Sequence, residues 1–167
     1  TLIYETWGDD WKENAKPDII PRLGGTKFER LRESIDHFAI EQEKSNILSW
    51  LMGKGATINL ANAAYETWEL QTMPIVNANC YELANLPNHG FAEIDKAIRY
   101  AFEIVDNDPR RIKAAIVYGM KILTEGGSTV MTWTELYSKC CELLRGINIE
   151  MISDCTKEMF ESGRLHA

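Results

Sequence analysis

Two glycine-containing turns, each followed by an apolar helical pattern, are the parts of this sequence best suited to bind an anion. The first turn contains Gly24 and Gly25, and the second contains Gly90. Glycine has no Cβ, so the backbone of such a turn can approach a phosphate closely. The N–H groups of the turn and of the following helix N-terminus then donate to the phosphate oxygens. This chemistry predicts contact with a nucleic-acid backbone and no readout of bases.

Basic side chains favour the first turn over the second. Residues 22–32 contain four basic residues and one acid, Glu29, whereas Lys96 and Arg99 after the second turn are balanced by Glu93 and Asp95. We therefore expect the first turn to bind phosphate more strongly. The candidate DNA-contacting residues are Gly24, Gly25, Thr26, Lys27 and Arg30 at the first turn, and Gly90, Phe91, Lys96 and Arg99 at the second.

Signs of catalysis or of a metal site are lacking in the sequence. It contains no G-x-x-x-x-G-K-[ST] loop for a nucleotide phosphate, no G-x-S-x-G and no H-E-x-x-H. The four cysteines form no C-x-x-C pair, and Cys140 and Cys155 fall on apolar helical stripes, which indicates reduced core cysteines. We expect no enzymatic activity, no bound metal and no cofactor in this chain.

Composition indicates a globular protein with an acidic balance. The chain has 167 residues, 45% of them hydrophobic, and a formal net charge of −7. It has neither an apolar run of membrane-spanning length nor a secretory signal, so we expect a cytoplasmic protein without membrane contact. The acidic charge disfavours long-range attraction to nucleic acid. Because the chain begins at Thr1, we expect it to be a piece of a longer protein.

Helical periodicity dominates the chain and predicts an all-α fold. Helices are expected at residues 27–43, 45–53, 58–69, 91–103, 109–125, 132–144 and 150–162. A Thr-x-x-Glu capping box begins at Thr132. Only residues 128–131 and the segment after Gly163 look extended, and this order is typical of a winged helix. The predicted domains are a tandem helix-hairpin-helix domain at residues 1–104 and a winged-helix-like segment at residues 105–167.

A weak internal repeat supports a tandem arrangement of the hairpins. The tetrapeptide Tyr-Glu-Thr-Trp occurs at residues 4–7 and again at residues 65–68. In both copies a glycine turn follows, and an apolar residue, Phe28 or Ile94, lies four residues beyond the glycine. We interpret this as a duplication and expect the two hairpins to superpose.

Two longer stretches resemble a known family. They read L-P-N-H-G-F-A-E-I-D at residues 86–95 and N-D-P-R-R-I-K-A-A-I-V-Y-G at residues 107–119. They are similar to the G-I-G-F-K-x-A-D hairpin and the D-[DS]-P-x-R-I-x-A-[GA]-[LI]-x-Y stretch ahead of the motor in RecD/TraA-type helicases, relatives of the exodeoxyribonuclease V alpha chain. The similarity extends to G-G-S-T-V at residues 126–130, to E-L at residues 135–136 and to a middle L-x-x-x-G-[IA] helix at residues 51–56.

The resemblance implies a non-catalytic, DNA-guiding part of an ATP-dependent 5′→3′ DNA helicase that acts in repair and recombination. ATP and Mg²⁺ would bind the motor domains of the parent chain. The implied partners are those motor domains and single-stranded or forked DNA, bound through its backbone without sequence preference. The alternative is a docking platform that packs on the motor or on another protein without touching DNA, which the acidic charge favours.

Overall fold

A computed structural model describes residues 24–125 and 131–165, and every regular element in these ranges is helical. This confirms the all-α class. The α-helices are α1 (Gly25–Gly53), α2 (Ile58–Trp68), α3 (Thr72–Ala78), α4 (Phe91–Ile98), α5 (Pro109–Glu125), α6 (Trp133–Leu144) and α7 (Ile149–Glu161), with 3₁₀ segments at Glu69–Gln71 and Cys80–Asn85. The chain divides into two compact units, residues 1–45 and residues 46–167.

The helix prediction is accurate for α2, α5, α6 and α7 and wrong in three other places. Residues 27–43 and 45–53 belong to one continuous helix, α1, because neither glycine nor proline lies between residues 26 and 52 to interrupt it. Helix α3 was not predicted. The helix expected at residues 91–103 ends at Ile98, where a turn closes with Ile104 N–H donating to the Arg99 carbonyl and with a positive φ at Glu103.

The core of the second unit surrounds α5, which packs against α6, α7 and the 3₁₀ segment Cys80–Asn85. Its largest fully buried side chains are Leu51, Leu60, Val76, Tyr81, Leu83, Phe91, Ile94, Ile98, Ile112, Ile116, Leu144 and Ile152. Cys140 and Cys155 are buried free thiols, as their apolar stripes predict, and burial raises the pKa of Cys140 to about 11. Neither thiol is activated for chemistry.

The start of α5 follows its sequence signal closely. Asp108 accepts a hydrogen bond from the Arg110 N–H at 2.8 Å through its carboxylate, and Pro109 occupies the first helical position. Proline is favoured there because its missing N–H would have no partner inside the helix. The sequence N-D-P therefore sets the N-terminus of the central helix of this unit.

The winged-helix interpretation of the last third is not confirmed. The strand expected from Gly163 is wrong for residues 163–165, because Gly163 has φ +70° and the N–H groups of Arg164 and Leu165 donate to the Met159 carbonyl. These bonds make Gly163 a left-handed helix cap. The other expected strand lies almost wholly in residues 126–130, outside the described residues.

Part of the repeat also lies outside the described residues. Residues 1–23 contain its first copy and the first half of the hairpin expected at Gly24, so the superposition of the two hairpins stays a prediction, as does the domain boundary at residue 104. Within residues 24–125 and 131–165, none of the helices has both the length and the apolar character needed to cross a bilayer.

The capping box at the start of α6 is complete. The Glu135 N–H donates to Thr132 Oγ1 at 3.3 Å, and the Thr132 N–H donates to Glu135 Oε2 at 2.8 Å. The hydrogen bonds that the Thr132 N–H and the Thr132 hydroxyl donate to Glu135 Oε2 hold the pKa of Glu135 below its usual range. Two N–H groups that the helix cannot satisfy internally are thereby paired.

Thr132→Ala removes the acceptor for the Glu135 N–H, so we expect the free energy of unfolding to fall by about 1 kcal/mol. Thr134→Ala is the matched control, because Thr134 is exposed in the first turn of the same helix and should be near neutral. Chemical denaturation followed by circular dichroism measures both variants. Equal stability of the two would contradict the capping role of Thr132.

Candidate nucleic-acid interface

A buried three-residue hydrogen-bond network positions the hairpin around Gly90. Asp95 lies on α4, Arg111 on α5 and Tyr81 on the 3₁₀ segment Cys80–Asn85. Arg111 donates from Nε to Asp95 Oδ1 at 2.8 Å and from Nη2 to Asp95 Oδ2 at 2.9 Å. Tyr81 donates its hydroxyl to Asp95 Oδ1 at 2.6 Å. One carboxylate thus ties three elements together.

The same arginine also fastens the turn between α4 and α5. Arg111 Nη1 donates to the Asp106 carbonyl at 3.0 Å. Arg99 donates from Nε to the Ile104 carbonyl at 3.1 Å and forms an ion pair with the Asp106 carboxylate. Arg99, a predicted DNA-contacting residue, is therefore engaged within its own chain.

The ionisable groups of the network neutralise one another and are not arranged to transfer a proton. Burial alone would raise the pKa of Asp95, but the hydrogen bonds from Arg111 and Tyr81 and the Arg111 charge outweigh it and hold that pKa below its usual range. Burial and the hydrogen bond to Asp95 raise the pKa of Tyr81. The carboxylate stays ionised and the phenol stays protonated at neutral pH, so the network supports structure and not acid–base catalysis.

The loop at residues 86–90 is a tight turn that leads directly into α4. The His89 N–H donates to the Leu86 carbonyl at 3.3 Å, and Asn88 has φ +64°. A proline at the second position and a positive φ at the third are typical of a type II turn, in which asparagine replaces the more usual glycine. Gly90 follows in an extended conformation as the N-cap of α4 and provides no side-chain cap.

Gly90 lies against the end of the Tyr118 side chain. A Cβ at Gly90 would lie 2.6 Å from the hydroxyl oxygen of Tyr118 on α5. The space beside Gly90 that was expected to admit a phosphate is thus occupied by Tyr118. The first-turn N–H groups of α4 nevertheless lack a side-chain cap, and Ala92 and Glu93 in this turn are exposed.

A second hairpin loop lies at residues 53–56, between α1 and α2. The Ala56 N–H donates to the Leu51 carbonyl at 3.1 Å, and Gly55 has φ +97°, which together make a left-handed helix end. Thr57 then caps α2 by accepting from the Leu60 N–H at 3.3 Å. A Cβ at Gly55 would overlap the carbonyl oxygen of Ala97.

The predicted hairpins do not include this loop, because the first hairpin is expected at Gly24. The available signal was the pair Gly53 and Gly55 around one residue, followed by the cap residue Thr57. Asn88 and Gly90 have the same spacing in the other loop.

Apart from Gly90 and Arg99, described above, the predicted site residues fall into three groups. Gly24, Gly25, Thr26, Lys27 and Arg30 are exposed at or just before the start of α1 in the first unit, and no acidic residue lies in the first turn. Lys96 is exposed on α4 in the second unit. The side chain of Phe91 is buried, with its ring 5.8 Å from that of Tyr81, so only its backbone can meet a ligand.

Comparison with known proteins identifies one family. The model of the family described as ATP-dependent RecD2 DNA helicase HHH domain matches residues 40–130, more than half of the chain. The match covers both described hairpin loops, the Asp95–Arg111 pair and α5, and it does not include Gly24. No curated protein matches the chain.

The two glycines of the loop at residues 53–56 should respond oppositely to alanine. Gly55→Ala imposes a strained positive φ and a backbone overlap, so we expect the free energy of unfolding to fall by at least about 2 kcal/mol. Gly53→Ala is the control, since Gly53 ends a helix and its Cβ position is open; its stability should be unchanged or higher by up to about 1 kcal/mol. Equal denaturation midpoints would contradict this loop geometry.

Asp95→Asn leaves the buried Arg111 charge paired, among the described residues, only with the exposed Asp106 carboxylate 3.7 Å away. We therefore expect the free energy of unfolding to fall by about 3–5 kcal/mol at neutral pH. The ionised Asp95 carboxylate makes its full contribution to the free energy of unfolding above the carboxyl pKa of the unfolded chain, about 3.9. This contribution disappears as pH falls through the lower pKa of Asp95 in the folded protein. The stability difference between wild type and variant should therefore shrink below about pH 4.

Denaturant titrations at several pH values measure this difference. Asp106→Asn is the control, because the Asp106 side chain is 76% exposed and its ion pairs should contribute less than about 1 kcal/mol. A wild-type advantage over Asp95→Asn that persists unchanged into strong acid would contradict the ionised state of Asp95.

Proposed function

The chain belongs to the family of ATP-dependent RecD2 DNA helicase HHH domains, and from this premise we propose that it contacts the phosphate backbone of DNA for its helicase. The chemistry of the exposed helix starts supports the proposal. ATP hydrolysis would belong to motor domains elsewhere in the parent protein, with ATP and Mg²⁺ bound there. The chain itself would guide DNA without catalysing a reaction.

The observation that carries the proposal is the uncapped start of α4 behind the loop at residues 86–90. Its first-turn N–H groups have no side-chain acceptor, and the helix dipole adds partial positive charge at the same end. Such donors suit phosphate oxygens of any sequence. Single-stranded or forked DNA is the proposed ligand, and the predicted cytoplasmic location remains part of the proposal.

The start of α1 is the second proposed contact surface. Lys27 and Arg30 are exposed there, whereas Phe28 between them is buried. Their positive charges are therefore available to solvent, whereas the Phe28 side chain between them is covered. Because they follow the exposed Gly24 and Gly25, backbone donors and cations lie close together in the sequence.

A docking platform that never touches DNA is the second candidate. The net charge of −7 favours it, because an acidic protein repels the phosphate backbone at long range. The filled Cβ positions at Gly55 and Gly90 favour it as well, since both glycines already serve internal packing. Under this candidate the exposed helix starts would bind the motor domains or another protein.

DNA titration at low and moderate salt separates the two candidates. We expect the 167-residue chain to bind random-sequence single-stranded and forked DNA with a Kd of about 10⁻⁴ to 10⁻⁶ M. Lys27→Glu with Arg30→Glu should weaken binding equally for all sequences. Each lost phosphate contact should lower the log–log salt slope by about 0.7 to 0.9.

Arg145→Glu with Lys157→Glu is the matched control, because it changes the net charge equally at two exposed positions of the second unit that belong to neither helix start. Circular dichroism confirms that all variants remain helical. Absence of DNA binding at low salt would reject the proposal in favour of the docking platform. An equal loss in both double variants would reject Lys27 and Arg30 as specific contacts.

A further inference from the structure

A basic groove on the second unit lies beside the loop at residues 86–90, and we propose that it binds the phosphate backbone of a nucleic-acid strand. This inference rests on the proposed DNA-contacting function and adds a site that the hairpins do not include. The groove runs between the 3₁₀ segment Cys80–Asn85, α5 and the end of α7, with a volume of about 700 Å³. None of the predicted DNA-contacting residues lines it, although six of its lining residues, from Pro109 to Tyr118, belong to the motif stretch at residues 107–119.

The charge of the groove opposes that of the whole chain. Among the described residues that line it, Arg110, Lys113, Lys121 and Arg164 are basic, and Glu82 alone is acidic. The Glu82 carboxylate accepts hydrogen bonds from Asn79 Nδ2 at 2.8 Å and Asn85 Nδ2 at 2.9 Å, which disperse its charge. A concave surface with this excess of cations, on a chain of net charge −7, favours a polyanionic ligand.

The cations on α5 form a line that suits a strand better than a single small anion. Lys113 follows Arg110 by three residues, and Lys121 follows it by eleven. These spacings place the three side chains on one face of the helix. At the rise of an α-helix, residues 110 and 121 are about 16 Å apart along the axis. This distance matches several consecutive phosphates of one strand.

Most of these cations are available to a ligand. Lys113 contacts Glu158 at 2.7 Å and Lys121 contacts Glu125 at 4.0 Å, but these carboxylates are 63% and 64% exposed, so the pairs exchange readily with a phosphate. Arg164 is exposed and has no ion pair among the described residues. Arg110 pairs with Asp108 through Nε and Nη2, which leaves Nη1 as a donor.

Tyr118 connects the groove to the hairpin. It lines the groove, and its hydroxyl oxygen lies against Gly90, the N-cap of α4. The uncapped N–H groups at the start of α4 and the cations of the groove therefore occur on neighbouring parts of one rigidly packed unit. A strand held at the hairpin would lie next to the groove.

Lys121→Gln with Arg164→Gln tests the groove without disturbing the buried core, because both side chains are exposed. Arg145→Gln with Lys157→Gln is the matched control, with the same residue types and charge change outside the groove. Fluorescence anisotropy with labelled random-sequence single-stranded DNA, at two salt concentrations, measures the affinity of the whole chain. Labelled polyglutamate is titrated in parallel as a polyanion without phosphate.

We expect the groove variant to bind DNA about 10-fold more weakly at low salt, with a log–log salt slope lower by about 1.4 to 1.8, and the control to stay close to wild type. Equal affinities of groove variant and control would overturn the groove proposal while leaving the hairpin function intact. Wild-type protein that binds no DNA would reject both. Polyglutamate binding as strong as DNA binding, and equally sensitive to the variant, would assign the groove to an acidic protein segment instead.

Discussion

A buried carboxylate that must be fully hydrogen bonded controls the arrangement of the second unit. An ion pair removed from water is tolerated only when its geometry is close and its remaining donors and acceptors are satisfied. Asp95 meets this condition by accepting a bidentate bond from Arg111 and a further bond from Tyr81. Because these three residues come from three elements, the condition sets where the 3₁₀ segment Cys80–Asn85, α4 and α5 lie. The loop at residues 86–90, which joins the 3₁₀ segment to α4, is positioned with them.

This network gives a structural role to Asp95 and Arg111, which lie in the two stretches that resemble RecD/TraA-type helicases. In the resemblance the two residues belong to separate stretches, and a DNA-guiding role would suggest that the arginine contacts phosphate. The structure buries Arg111 and commits its donors to Asp95 and to the Asp106 carbonyl. The signature residues therefore build the hairpin, and the cations that face solvent lie elsewhere, on the exposed sides of α1, α4 and α5.

The loop glycines have a comparable internal role. Gly55 lies against the Ala97 carbonyl and Gly90 against Tyr118, so each permits a close approach between the chain's own elements. The hairpins can still bind an anion through the uncapped N–H groups at the start of a helix and through nearby exposed lysines and arginines. Recognition built from such groups is sensitive to salt and insensitive to base sequence.

The sequence by itself determined the features that depend on neighbours within one or two helical turns. These features are local because the backbone and side-chain groups that bond to each other lie within four residues in the sequence. They include the all-α class, the bounds of α5, α6 and α7, the N-cap at Asp108 and the capping box at Thr132. Tertiary structure alone decided that Asp95 meets Arg111 across 16 positions, that Gly55 belongs to a hairpin, and that Lys121 and Arg164 share a groove. Periodicity shows which face of a helix is apolar, but the packing of separate elements decides which polar residues are buried together and which remain exposed.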